Sequence, residues 1–303
     1  MAQKKTLYDA LRANLVSVQP EGIAENSLIC PLCWQTVTFE KLTIEHCVPE
    51  SVGGRRETLT CQKCNNDSGR TLDHHLARHQ RSVDAANGKG AMKSRLAFTE
   101  DLSMTTNLQI ERDGSRTLKI VGKASNPESV ETLRTMAQQG RLPSDEFKVT
   151  IFDLPNETLA KLALVRAAYL SAFHQMGYEF AFSESGMFLR HLISASEPDS
   201  QTLLLMTGFK VHVQNWPDDA KSFVILPIEI KGLLPDSESS WPTAKSLLGL
   251  FVLIKLTMQT SSIHAIMIPA PNTIPREFAA LLQLLAEQKP KKITFTHKAG
   301  FIG

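Results

Sequence analysis

Apolar positions recur along this chain with two periods, and the switches between them mark its elements. Near the start, Leu7, Leu11 and Leu15 fall four residues apart, which predicts an amphipathic helix over 5–14. The stretch TFEKLTIEH, with Phe39, Leu42 and Ile44 apolar, alternates imperfectly and predicts a strand leading to Glu45 and His46. Gly53-Gly54 marks a loop. After residue 64, NNDSGRTLDHHLARHQRSV predicts a turn and then a helix with Leu72, Leu76 and Val83 roughly on one face. Asp73 near its start complements the helix dipole. Residues 84–94, DAANGKGAMKS, interrupt the pattern with Gly, Ala and Lys and predict a linker.

Beyond the linker, TTNLQIERDGSRTLKIVG holds two strand-like runs around Asp113-Gly114, a hairpin signal. Residues 147–153 predict another strand. Residues 156–176 carry the strongest helical pattern, with Asn156 as N-cap and Gly177 as stop. A second helix is expected over 183–195. Strand-like runs follow at 202–213, 222–230, 248–256 and 264–270, then a helix at 275–288 and a last strand at 291–296. The fold class read from this order is α+β, as a small N-terminal module over 1–88 followed by a larger mixed α+β domain over 95–303.

Composition changes this picture little. The chain has 303 residues and a formal net charge of +2, so it does not announce a polyanion partner as a whole. Local density does: Arg55, Arg56, Lys63, Arg70, Arg78, Arg81, Lys89, Lys93 and Arg95 fall within about forty residues, as phosphate contacts require. The plainer reading of these charges is a solvated face. No apolar run is long enough to span a membrane, and the N-terminus lacks a signal-peptide pattern. The protein is therefore expected in a reducing cytoplasm, where paired cysteines favour metal over disulfide.

The candidate chemistry lies in CPLCWQTVTFEKLTIEHCVPESVGGRRETLTCQKCNNDSG. Cys30/Cys33 and Cys61/Cys64 form two C-x-x-C knuckles, whose four thiolates can close a tetrahedral zinc site. A four-cysteine site has no open position, so such a zinc is structural. Cys47 lies outside the spacing and reads as a buried neighbour, and Trp34 as packed beside the first knuckle. Between the knuckles stand a carboxylate and an imidazole, Glu45-His46, then Pro49 and the glycine pair. A structural clip needs none of these. His74, His75 and His79 read as helix-surface residues rather than ligands.

This pattern resembles the HNH endonucleases with a ββα-metal site, in particular those with zinc-knuckle cysteines and a Cys-Asn ending. The likeness covers residues 28 to 75, and LALVRAAYLSAFHQMGYEFAF is similar to a helix that often follows this type of module. It implies a zinc-stapled, treble-clef-like HNH module that hydrolyses phosphodiester bonds. His46 is then the general base, and Glu45 and Asn65 the ligands of a catalytic Mg²⁺ or Mn²⁺. For Asn65 the alternative is a helix cap. Arg55, Arg56, Lys63 and Arg70 are the implied phosphate contacts, and double-stranded DNA the expected polymer. One strand is cut per site, so a double-strand break needs a homodimer or two events. Stand-alone chains of this type resemble components of restriction or anti-phage defence, which also leaves room for a partner protein.

The chain departs from the family pattern in one place. Residues 55–60, Arg-Arg-Glu-Thr-Leu-Thr, lack the Asn that orients the base, and Thr58 offers one hydrogen bond instead. The alternative function is a non-catalytic zinc-binding adaptor for nucleic acid or protein, which has no need of Glu45-His46.

Overall fold

The computed structural model describes residues 2–19, 21–98, 102–111, 115–120, 127–141, 147–209, 211, 213, 216, 222–231, 246–288 and 295–297. Helix α1 (Ala2–Val18) buries Tyr8, Leu11 and Leu15, the last two from the expected stripe, and is longer than that stripe alone predicts. Two short hairpins follow. The first pairs β1 (Ser27–Ile29) with β2 (Thr36–Thr38), and the second pairs β3 (Leu42–His46) with β4 (Arg56–Cys61), both antiparallel. Helix α2 (Gln62–Ser68), a π-turn at Gly69–Asp73 and helix α3 (His74–Ala86) complete the N-terminal run.

Strands β5 (Met92–Ala97), β6 (Ser103–Ile110) and β7 (Arg116–Ile120), helix α4 (Pro127–Gln138) and strand β8 (Lys148–Ile151) come next. Helix α5 (Glu157–Met176) starts directly after Asn156 and stops before Gly177. It leads into α6 (Tyr178–Ala181), α7 (Glu184–Ser194) and α8 (Ser200–Thr207). Strands β9 (Phe223–Lys231), β10 (Ser246–Thr257) and β11 (Ser261–Pro269), helix α9 (Pro275–Gln288) and strand β12 (Phe295–His297) end the described chain. The mixed helix and strand content agrees with the expected α+β class.

Two compact units share these elements. The first gathers residues 1–76, 157–256 and 263–303; the second gathers 77–156 with 257–262. The expected linker at 84–94 falls inside the second unit. Helix α3 runs on to Ala86 and β5 begins at Met92, both inside the second unit. The first unit is discontinuous because α5 returns to the N-terminal hairpins. Its Phe173 joins Tyr8, Leu15, Leu28, Leu42 and Leu59 in one buried cluster.

In the first unit a four-stranded sheet runs β11-β10-β9-β12. Helix α5 is buried at every position from Leu162 to Phe173, as a helix apolar on all sides must be. Gly177 has φ 64°, and a Cβ there would lie 2.2 Å from Asn14 Oδ1, which accepts the Tyr178 amide at 2.6 Å. Only glycine suits that turn. In the second unit the sheet runs β7-β6-β5-β8. The β6–β7 hairpin is present, though Asp113-Gly114 lies outside the described residues.

Two details depart from the sequence reading. Residues 202–207 read as strand-like and form α8 instead. The Asp199 carboxylate accepts the amides of Gln201 and Thr202, an N-cap that decides a short apolar run whose period is ambiguous. Helix α4 carries no buried residue, and its weak apolar stripe gave no expectation.

Candidate metal centre and active site

The first knuckle is shaped by its own backbone. The Trp34 amide donates to the Cys30 carbonyl at 2.9 Å, and the Cys30 amide to the Gln35 carbonyl at 3.0 Å. Closing that turn puts Trp34 at φ 60°, in the left-handed region a bulky side chain seldom occupies. Packing holds it there: its ring meets Phe182 edge to face at 5.6 Å, and the Arg190 guanidinium lies 4.4 Å from its centroid. The second knuckle caps α2, with the Cys64 amide 3.4 Å from Cys61 Sγ.

The four sulfurs of Cys30, Cys33, Cys61 and Cys64 lie within 4.8 Å of one another. Cys33 and Cys61 Sγ are 3.7 Å apart. A tetrahedron with Zn–S bonds of about 2.3 Å has edges of about 3.8 Å, so the donor set fits zinc. The Cys64 thiol donates to Cys30, which holds Cys30 down to about 5 and pushes Cys64 up; burial pushes Cys33 up to about 11. Cys47 is fully buried and 3.5 Å from the Leu170 carbonyl, outside the tetrad.

The β3–β4 hairpin carries the remaining candidates. Its register shifts between Glu45 and His46: Glu45 pairs with Thr58, but His46 pairs with Arg56. The bulge breaks the strict alternation that would send these neighbours to opposite faces. Strand β3 ends at His46. The His46 side chain is 19% exposed, with Nε2 3.7 Å from the Glu50 carboxylate. Gly54 explains the glycine pair: a Cβ there would sit 1.5 Å from the Val48 carbonyl oxygen. The tight 49–54 loop that carries Glu50 back toward His46 requires its absence.

Glu45 points inward. It is 3% exposed, its Oε2 accepts from the Thr60 hydroxyl at 3.0 Å, and its Oε1 lies 3.2 Å from Arg166 Nη2. The Arg166 side chain is 1% exposed, and its Nη1 reaches Asp73 Oδ1 at 3.5 Å. Burial pushes the Asp73 carboxyl up, and the charges of Arg166, His46 and His74 act against that. Asn65 is half-buried on α2, and its Nδ2 donates to Thr43 Oγ1 at 3.1 Å and to the Ile44 carbonyl at 3.2 Å. Both bonds use the nitrogen, which leaves Oδ1 as the amide's remaining polar atom.

Glu45 is thus held from β4 and α5, and Asn65 is anchored to β3, the strand that ends at His46. Among the described residues, the cysteine tetrad is the one cluster of three or more His, Cys, Asp and Glu ligand atoms, and it contains neither Glu45 nor His46. A sparse oxygen set still suits Mg²⁺ or Mn²⁺, which keep waters and substrate phosphates as ligands. Arg55 and Arg70 are exposed. Lys63 is exposed too but paired with Asp67 at 2.6 Å. Arg56 lies in β4, and its side chain is outside the described residues. His74 and His75 stack at 3.9 Å. A cavity of about 670 Å³, lined by Leu11, Asn14, Glu57, His174, Ile228 and Leu250 among others, includes neither Glu45 nor His46.

Sequence reasoning did not find Arg166. The signal was present: one arginine inside LALVRAAYL, where every neighbour is apolar and a charge needs a buried partner. Asp73 was read for the helix dipole alone.

Residues 30–81 match the family model for HNH endonuclease. This segment holds the β3–β4 hairpin, helix α2 and the four-cysteine tetrad, and is similar to HNH modules of the zinc-knuckle type. No curated protein and no solved structure matches the chain. Among the described residues, no helix is long and apolar enough to cross a membrane.

Proposed function

We propose that the protein is a metal-dependent HNH endonuclease that hydrolyses phosphodiester bonds, with double-stranded DNA as substrate. The observation that carries this reading is the bulge between Glu45 and His46, which ends β3 with a partly buried imidazole beside an anchored carboxylate. His46 takes a proton from the attacking water, and Glu50, 3.7 Å from its Nε2, orients the ring. Asn65 Oδ1 and Glu45 would hold the divalent cation, with Glu45 also paired to Arg166. When bound, Mg²⁺ or Mn²⁺ supplies charge stabilisation for the phosphate and the leaving oxygen. Arg55 and Arg70 bind backbone phosphate from exposed positions, and Arg56 and Lys63 lie on the same stretch of chain. Zinc in the cysteine tetrad holds the module folded and takes no part in the reaction.

The test is cleavage of plasmid DNA and single-stranded RNA by full-length protein, with Mg²⁺, Mn²⁺ or EDTA, beside H46A. Metal-dependent cutting that H46A lacks supports the reading, and the polymer cut identifies the substrate. A restriction or anti-phage role extends it; phage plating on cells carrying wild type or H46A tests that extension. Gel filtration with and without DNA tests for the homodimer.

The inward placement of Glu45 favours a second reading, a zinc-stapled adaptor that binds nucleic acid without cutting it. In that case H46A leaves every property unchanged.

A further inference from the structure

Arg166 stands in the buried stretch of α5, between Val165 and Ala167, which are both fully buried. Its Nε and Nη2 make no hydrogen bond among the described residues, and Nη2 meets Glu45 as an ion pair alone. Stability is a poor explanation for such a residue. A buried guanidinium gives up its hydration, and apolar groups in place of the whole Arg166–Glu45–Asp73 set would often be as stable or more so, whereas loss of the arginine alone strands the buried Glu45.

Its contacts offer a better one. Arg166 joins two separate arms of the module. Glu45 closes β3 immediately before His46, and Asp73 ends the π-turn that follows α2, the helix bearing Asn65. Thr60 fixes one oxygen of Glu45 and Arg166 holds the other, so the carboxylate has one orientation. The register shift begins at the next residue, so the direction of His46 follows from how Glu45 is held.

We propose that Arg166 is a positioning residue of the HNH site: from α5, outside the matched segment 30–81, it fixes Glu45 and Asp73 and thereby the geometry of the cation ligands and of His46. The inference rests on the nuclease reading. It also implies that the matched segment does not hold a complete site without α5.

The experiment compares full-length wild type, R166K and R166M for zinc content, thermal midpoint, Mn²⁺ affinity by electron paramagnetic resonance, and plasmid cleavage. R166M is expected to keep its zinc, to bind Mn²⁺ about tenfold more weakly, and to lose about 100-fold in kcat with KM little changed, as a displaced catalytic group does. R166K restores the charge but not the two-armed bridge, and is expected to fall between R166M and wild type. If R166M does not fold, R166K decides alone. A wild type that cuts nothing yet binds Mn²⁺ more tightly than R166K refutes the nuclease reading and upholds the positioning role. Equal Mn²⁺ affinity in wild type and the folded variants overturns the positioning role, whatever the cleavage result.

Discussion

The Tyr169 hydroxyl donates to the Pro31 carbonyl at 2.7 Å, joining α5 to the first cysteine knuckle across 138 positions of sequence. Tyr178 does the same for the Ile29 carbonyl at 2.6 Å. Burial pushes both phenols up, so they remain protonated donors. The knuckle therefore faces the other cysteines on one side and is held by a distant helical segment on the other.

Tyr169→Phe keeps the ring and strands a buried carbonyl. It is expected to destabilise the protein by about 1–3 kcal/mol while leaving zinc bound. Urea denaturation with parallel metal analysis checks this, and loss of zinc would show that the hydroxyl shapes the tetrad itself.

Cys30→Ser removes a ligand whose sulfur also accepts the Cys61 amide. A structural zinc contributes folding free energy directly, so the variant is expected to lose its zinc and the packing of both hairpins. Elemental analysis and near-ultraviolet circular dichroism report the two losses. A folded variant with full zinc would overturn the tetrad.

His46→Ala removes a partly buried ring that lies 3.7 Å from the Glu50 carboxylate. The expected loss in cleavage rate is about 10²–10⁴-fold, the contribution of a general base. Stability should fall by about 1 kcal/mol, the centre of the range for single substitutions. A large fall in thermal midpoint would instead make His46 structural.

Gly54→Ala drives a methyl group into the Val48 carbonyl, and Val48 is itself fully buried. The backbone of the 49–54 loop must move, at a cost of about 1–3 kcal/mol by analogy with overpacking. Because that loop carries Glu50 toward His46, cleavage should fall more than stability does. Comparing kcat with the thermal midpoint of the variant separates the two effects.

Asp84 tests the second unit. Burial raises its carboxyl, and hydrogen bonds from Thr260, from the Gln259 amide and from Gln80 outweigh this and hold it below the usual carboxylate range. A lowered folded-state value contributes stability that is full above the unfolded value, near pH 4, and is lost as pH falls through the folded value. Urea midpoints for the wild type should therefore drop below pH 4. Asp84→Asn should show a smaller drop from a lower starting stability, and an equal drop in both would remove Asp84 as its source.

The local features of this protein were legible in its sequence. Two C-x-x-C pairs, a carboxylate beside an imidazole, and Gly53-Gly54 each act over a few residues, so spacing alone places them. The hairpin at β6–β7 and the limits of α5 follow from turn chemistry and apolar period in the same way. The tertiary structure decided what those features touch. It turned Glu45 inward onto Arg166, made α8 from a run that read as strand, and packed α5 against the N-terminal hairpins. A charge buried in an apolar helix finds its partner through packing across 121 positions, and no periodicity along the chain encodes which partner that is.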